Sequence, residues 1–486
     1  MDSTDLSPYT DKISISERWL MFMKPCRAIA IFLLWSISAF AADRPNVVLV
    51  MADDLGWGDP QCFHPESHIL TPNLNDMAAS GLKFNRFYAA APVCSPTRGS
   101  CLTGRHPFRY GIYFANTGHM KPEEITLPEI LKKQGYKTGH FGKWHLGTLT
   151  TEINDANRGG PRGKQHFSTP SMNGYDVCLV TQSKVPTYDP LIKPPKASRN
   201  AWDFLKDKTQ AQPYGTHYWN ERGESIDNLE GDDSEIIMDA AIPFIEQAVA
   251  DEKPFFSVIW FHAPHLPVVA GPKHVKPYEK HDVYERNYYG CITALDEQVG
   301  RLRNKLRDLG VAKNTMVWFC SDNGPEGQAG KAPGTAAHFR GRKRDLYEGG
   351  VRVPGILEWP AKVQPGETDF PAVTSDYLPT VLDALNVPLP NRPIDGVSLL
   401  PLIEGKRSER GQPIYFQSGK QQVMNTDRYK LITTNNGKTW ELYDLQQDPS
   451  EANNLADQHP QRVSDMKKAL QDWIKSCKAS DLGKDY

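Results

Sequence analysis

Asn46-Val47-Val48-Leu49-Val50-Met51, running straight into Ala52-Asp53-Asp54-Leu55-Gly56, is the stretch that decides the fold. Aliphatic and β-branched residues without polar alternation mark a strand covered on both faces. Strands of that kind belong to parallel sheets, whose crossover helices shield both sides. The two carboxylates stand where the strand gives out, the end at which parallel α/β sheets bind ligands.

The pattern recurs outward from this strand. Residues 254–261 (PFFSVIWF) form a second apolar run, and residues 316–320 (MVWFC) a third, ending in Ser321-Asp322-Asn323-Gly324. Thr126 and Glu129 have the spacing of a capping box that opens a short helix, stopped at Gly135, and a strand-like stretch starts at Tyr136. Ile236, Ile237, Ala240, Ala241, Phe244, Ile245 and Ala248 recur at helical spacing. So do Ile292, Leu295, Val299, Leu302, Leu306 and Leu309, closed by Gly310. This alternation predicts an α/β fold with a large, mostly parallel sheet sandwiched by helices. Residues 148–230, rich in Gly, Pro, Asn and Lys, break the rhythm and are expected to form loops over the sheet edge. After Gly405 the texture changes. Residues 413–417, 429–433 and 440–445 read as short antiparallel strands, and 461–476 as a closing helix. The expected organisation is a catalytic domain over 42–405 and a small α+β C-terminal subdomain over 406–486.

The N-terminus reads as an export signal over residues 1–41. Lys24 and Arg27 precede an apolar run over 28–40, and Ala39-Phe40-Ala41 fits a cleavage site. The segment before Met21 is unlike a signal start, so Met21 or Met23 is the expected initiator. The run is too short for a comfortable membrane span. A secreted or periplasmic location is therefore expected. The chain of 486 residues carries a net charge of −2, which gives no electrostatic case for nucleic acid as a partner. Its 38 Pro and 37 Gly indicate many loops, while 11 Trp, 19 Tyr and 19 Phe supply core material. The cysteines are scattered, without zinc-ribbon spacing.

Asp53, Asp54, Asp322 and Asn323 together offer hard oxygen ligands, which favour Ca²⁺ or Mg²⁺ over zinc. Either cluster alone would read as a turn or a cap. Both following buried strands points to a metal site. Then comes Cys94-Ser95-Pro96-Thr97-Arg98-Gly99-Ser100-Cys101-Leu102-Thr103-Gly104-Arg105. Pro96 suits the first turn of a helix. Cys94 then sits at a helix N-terminus, where free N–H groups favour an anion, and Arg98 lies one turn on. A disulfide between Cys94 and Cys101, or a plain buried thiol, is the structural alternative.

This segment resembles the Cys-x-Pro-x-Arg motif of the type I, formylglycine-dependent sulfatases of the alkaline-phosphatase superfamily, the group that includes arylsulfatases and N-acetylgalactosamine-6-sulfatases. Thr103-Gly104-Arg105 matches the downstream part of the motif. Thr97 stands where the family more often has Ser or Ala. Gly142-Lys143-Trp144-His145-Leu146-Gly147 looks like the second sulfatase motif. His262-Ala263-Pro264-His265-Leu266-Pro267 resembles the segment whose final histidine contacts sulfate. Arg340-Gly341-Arg342-Lys343 resembles the segment carrying a second lysine, with Arg344 where the family has a small residue. Glu441-Leu442-Tyr443-Asp444-Leu445 looks like the family's C-terminal segment.

The resemblance implies that Cys94 is converted to formylglycine by a formylglycine-generating enzyme. It implies that the hydrated aldehyde attacks sulfur and then expels sulfate. Asp53, Asp54, Asp322, Asn323 and residue 94 would hold Ca²⁺, with Mg²⁺ acceptable to the sequence alone. Arg98 would stabilise residue 94 in its anionic form. Lys143 and Lys343 would bind sulfate oxygens, and His145 would accept a proton. His265 and Lys343 would support or protonate the leaving oxygen. His262 is left as a structural residue. Tyr175, Trp202, Tyr218 and Trp219 could stack on sugar rings but more often build cores. The expected activity is hydrolysis of sulfate monoesters, probable substrates being sulfated carbohydrates. The rivals are a phosphonate or phosphate monoester hydrolase on the same scaffold and a non-catalytic carbohydrate-binding relative.

Overall fold

The computed structural model describes residues 44–486. The export signal expected over 1–41 lies outside the described residues. A ten-stranded sheet forms the centre. Its order is Gly366–Thr368, Leu82–Phe84, Gly355–Glu358, Thr315–Ser321, Asn46–Ala52, Phe255–Trp260, Lys137–Lys143, Val177–Thr181, Tyr218–Asn220, Ser225–Ile226. The five strands from Thr315–Ser321 to Val177–Thr181 run parallel. Antiparallel pairings extend both flanks, and the edge strand Gly366–Thr368 pairs parallel with Leu82–Phe84.

Strand Asn46–Ala52 feeds two cores. Val47, Leu49 and Met51 join one hydrophobic cluster, and Val48, Val50 and Ala52 join the other. The two-residue period of a strand sends successive side chains to opposite faces. Both faces are apolar here because both are covered. Helices Asp233–Ala250 and Val283–Asp308 cover one face through residues such as Ile237, Ile245, Leu295 and Val299. Leu102, Leu131, Leu378 and Val381 cover the other. Burying each large aliphatic side chain is worth about 1.5–3 kcal/mol, so a two-faced strand anchors the sheet.

The parallel register aligns the strand ends. Met51 pairs with Trp260 on one side and Cys320 on the other, and Trp260 pairs with Gly142. The residues that follow therefore emerge along one rim. Gly142 is required there. It has φ 97°, and an added Cβ would lie 2.0 Å from the Trp260 carbonyl oxygen.

Residues 148–230 depart from the expectation of loops alone. Val177–Thr181, Tyr218–Asn220 and Ser225–Ile226 extend the central sheet. These strands are short and set among turn-forming residues, so their periodicity is weak. Tyr175, Tyr218 and Trp219 are buried, which removes them as sugar platforms; Trp202 is half-buried.

The C-terminal sheet has four strands, Ile414–Ser418, Gln421–Asn425, Tyr429–Thr433 and Glu441–Asp444. Gln421–Asn425 was not expected, because its polar residues mask the pattern. Ser418 pairs with Gln421 across a two-residue turn with Gly419 at φ 55°, a hairpin arrangement that Ser-Gly signals. The closing helix spans Pro460–Asp481, longer than expected. One face of this sheet packs on Leu346, Val351 and Val373, and the helix covers Met424, Leu431 and Leu442 on the other.

Candidate active site

Helix Cys94–Thr103 is buried throughout. Its N-cap, Val93, is extended, and Gly104 closes it in the left-handed conformation, with its N–H donating to the Ser100 carbonyl. Thr97 Oγ1 donates to the Ala91 carbonyl at 3.0 Å and accepts from the Ala91 N–H at 3.2 Å. The hydroxyl that departs from the family pattern thus ties down the turn leading to Cys94. Cys94 and Cys101 are both free thiols, so the disulfide alternative is not realised.

Arg98 reaches across to the strand ends. Its Nη2 lies 2.6 Å from Asp322 Oδ2 and 3.4 Å from Asp53 Oδ2. Its guanidinium sits 5.2 Å from the Trp260 ring centre. Arg98 Nε and Nη1 are buried without a hydrogen-bond partner. Lys143 Nζ is 2.5 Å from Asp53 Oδ2. Lys343 Nζ is 2.6 Å from Asp54 Oδ1 and 3.4 Å from Glu326. Three buried cations thus face the three buried carboxylates of Asp53, Asp54 and Asp322, with the partly exposed Glu326 beside Lys343.

The oxygens are not all satisfied. Asp53 Oδ1 and Asn323 Oδ1 are buried and accept no hydrogen bond. Asn323 Nδ2 donates to Asp54 Oδ1 at 2.7 Å, which leaves the amide oxygen free to point elsewhere. Each buried acceptor left unmatched costs about 1–3 kcal/mol. Ligand atoms of Asp53, Cys94 and Asp322 lie within 4.8 Å of one another, as do those of Asp53, Asp54 and His265. Hard oxygens without donors, at that spacing, fit a divalent cation such as Ca²⁺.

Electrostatics follow from burial and neighbours. Burial would raise the Asp54 carboxyl, but the Lys343 ammonium outweighs it and holds it well below the carboxylate range. Asp322 is pushed up to about 6 by burial and by Asp53, against Arg98. Burial raises the Cys94 thiol, with Lys143 and Lys343 opposing. Burial would lower Lys343, but Asp54 and its other anionic neighbours win and keep it protonated.

The histidines take distinct tautomers. His265 Nδ1 lies 2.8 Å from the Leu266 carbonyl, which can only accept, so Nδ1 carries the proton and Nε2 is left as an acceptor. Burial holds this ring neutral despite Asp54. His145 Nε2 lies 3.0 Å from Asn116 Oδ1, and its Nδ1 is buried without a partner. Burial, Lys143 and Arg98 keep His145 neutral too. His262 is a satisfied core residue, held between Asp233 at 2.8 Å and Thr181 at 2.6 Å. Asp54 (φ 69°), His145 (φ 57°) and Asn116 (φ 60°) adopt left-handed backbone, a cost commonly met at functional sites.

Sequence reasoning overlooked Asn116, and it passed over Ser183, which lies just beyond a strand of the parallel set. Nothing in local spacing marks Asn116 as the partner of His145. Ser183 follows strand Val177–Thr181, and its hydroxyl is buried without a partner. Its place beyond a parallel strand end would have flagged it, had that strand been recognised.

The family model named Sulfatase matches residues 45–387, and the model for the C-terminal part of N-sulphoglucosamine sulphohydrolase matches residues 337–479. The chain belongs to the sulfatase family and is a sulfuric ester hydrolase of the alkaline-phosphatase-like fold. It is 32% identical to arylsulfatase A of Homo sapiens over 459 residues, covering 85% of this chain and 84% of that protein. It is 33% identical to N-acetylgalactosamine-6-sulfatase of Sus scrofa over 423 residues, covering 83% and 74%. The crystal structure of Ps i-CgsB shares the fold, with TM-score 0.75, 24% identity and coverage of 89% and 93%.

Proposed function

We propose that this sulfatase is exported, matures Cys94 to formylglycine, binds Ca²⁺ and removes sulfate from sulfated carbohydrate. The observation that carries this reading is the meeting of the Cys94 helix, the donorless oxygens of Asp53 and Asn323, and Arg98, Lys143 and Lys343 at one sheet rim. The names of the amino-sugar sulfatases among the relatives support the carbohydrate.

Formylglycine at position 94, once hydrated by water to the gem-diol, would supply a hydroxyl nucleophile that a thiol does not. Asp53, Asp54, Asp322, Asn323 and residue 94 would hold the cation, which would supply positive charge to a sulfate bound there. Arg98 holds two free donors toward this site and stabilises an oxyanion at residue 94. His145 accepts the nucleophile's proton through Nδ1, with Asn116 fixing the other nitrogen. Lys143 and Lys343 bind sulfate oxygens. His265, whose Nδ1 proton is held by the Leu266 carbonyl, and Lys343 are the two groups that would support or protonate the leaving oxygen. Because every residue of Cys94–Thr103 is buried, a formylglycine-generating enzyme must read this segment before the chain folds.

Mass spectrometry of the peptide containing residue 94, combined with rates on matched sulfate and phosphate esters, tests the reading. A mass below that of the cysteine peptide and a sulfate preference are expected. Unmodified cysteine in fully active enzyme would refute the nucleophile, and a phosphate preference would refute the substrate.

A further inference from the structure

A cavity of about 570 Å³ opens between the segment after Lys343, the loop at Phe114 and the C-terminal sheet, lined by Phe114, Arg344, Asp345, Tyr347, Lys420 and Gln421 among others. Two of its walls are next in the chain to candidate active-site residues, and Arg344 lies near enough to Asp54 and Cys94 to feel their charges. Arg344 directly follows Lys343, whose ammonium lies against Asp54. Phe114 stands two residues before Asn116, which holds His145. The third wall is the hairpin turn at Gly419 and Lys420. It is fixed in place, because Gln421 Oε1 accepts from the Leu346 N–H at 2.9 Å and Gln421 Nε2 donates to the Arg344 carbonyl at 2.7 Å.

The chemistry of the walls is specific. Phe114 is 41% exposed and makes no ring contact among the described residues. Its neighbour Tyr113, by contrast, packs on Phe108 and hydrogen-bonds Asp481. Arg344 has its guanidinium forked onto Glu326 at 2.7 and 2.9 Å, so its charge is matched and its position set. Lys420 is exposed, and no ion pair or side-chain hydrogen bond engages its ammonium among the described residues. A free aromatic face beside a free ammonium suits a ring with apolar C–H faces and an anionic substituent.

We propose that this cavity is a second saccharide site. It takes the sugar next to the one bearing the scissile sulfate, with Phe114 under the ring and Lys420 paired to a sulfate or carboxylate on it. This deepens the carbohydrate reading and rests on it. The C-terminal sheet thereby contributes to substrate choice, and an oligosaccharide with anions on neighbouring sugars is the preferred class.

Phe114→Ala and Lys420→Gln test the site, with the full-length enzyme assayed on 4-nitrophenyl sulfate and on a panel of defined sulfated mono-, di- and tetrasaccharides. On the best oligosaccharide, each variant should lose about tenfold in kcat/KM, mostly through KM, the size of one desolvated contact. On 4-nitrophenyl sulfate each should stay within about twofold. Raising ionic strength should erode the oligosaccharide advantage of wild type and have little effect on that of Lys420→Gln. The carboxylate-reduced form of the best oligosaccharide separates the two anions: lost sensitivity to Lys420 assigns the carboxylate, retained sensitivity the sulfate. Equal losses on both substrate types, no loss on the oligosaccharide, or no oligosaccharide preferred over its monosaccharide would overturn the proposal. Failure of wild type on 4-nitrophenyl sulfate and on every saccharide would instead count against the sulfatase reading itself.

Discussion

Two buried clusters of opposite charges lie in this molecule, and they differ in what is left over. In the first, Lys430 joins Glu348 at 3.0 Å and Glu451 at 2.8 Å. Tyr88 donates to Glu348 at 2.8 Å, the Glu348 N–H donates to Glu451 at 2.7 Å, and Arg352 stands 3.4 Å from Glu348. Burial would raise Glu348, but Lys430 and Arg352 bring it below its usual value. This cluster clamps the C-terminal sheet to the segment carrying Glu348. In the second, at the sheet rim, Arg98, Lys143 and Lys343 face Asp53, Asp54 and Asp322, yet two acceptor oxygens and two guanidinium nitrogens have no partner. Counting charges would not separate the two. Counting unmet hydrogen-bonding groups does: the rim leaves four, whereas the one in the clamp, Glu451 Oε1, still has the Lys430 ammonium at 2.8 Å.

The contrast predicts that damage to the rim costs activity and damage to the clamp costs stability. The largest effect is expected for Cys94→Ala. Loss of the nucleophile should lower kcat/KM by about 10⁴-fold or more. Among the described residues the Cys94 side chain makes no hydrogen bond, so the melting temperature in chelator should scarcely move. Steady-state kinetics beside calorimetry check this, and a variant that unfolds or stays active would break the contrast.

Lys430→Met comes next. It leaves Glu348 and Glu451 buried without their shared cation, which should cost about 3–5 kcal/mol of stability. The part that remains folded should keep its kcat on a small aryl sulfate. Denaturant unfolding beside activity in native buffer reads both. A large fall in kcat without a fall in stability would show that the clamp belongs to the reaction.

The smallest effect sharpens the comparison from the ligand side. Ca²⁺ at a hundred times its Kd should stabilise wild type by about 2.7 kcal/mol. Asp53→Asn should lose most of that increment, and Lys430→Met should keep it. Melting curves with and without a chelator measure the difference. An equal increment in all three proteins would remove the cation from the rim.

Much of this was legible before any coordinates. The apolar run over 46–51 reads as a strand buried on both faces because no polar residue interrupts it, and its end marks the rim. The Cys94 segment and the residues around Lys143, His265 and Lys343 carry their chemistry in local motifs. Strand Val177–Thr181 was obscured by the turn-forming residues around it, and strand Gln421–Asn425 by its polar side chains. Ser183 was lost with the first of these.

By itself the sequence determined the α/β class, the acids that close the strands, the helix that begins at Cys94 and the family. Those features rest on periodicity, capping and short spacing, all of which act within a few residues. Only the tertiary structure decided that Asn116 holds His145, that His262 is satisfied in the core, and that Phe114 and Lys420 share a cavity with Arg344. Such meetings join positions far apart in the chain. They are set by strand order and by how two sheets pack, and no local pattern encodes either.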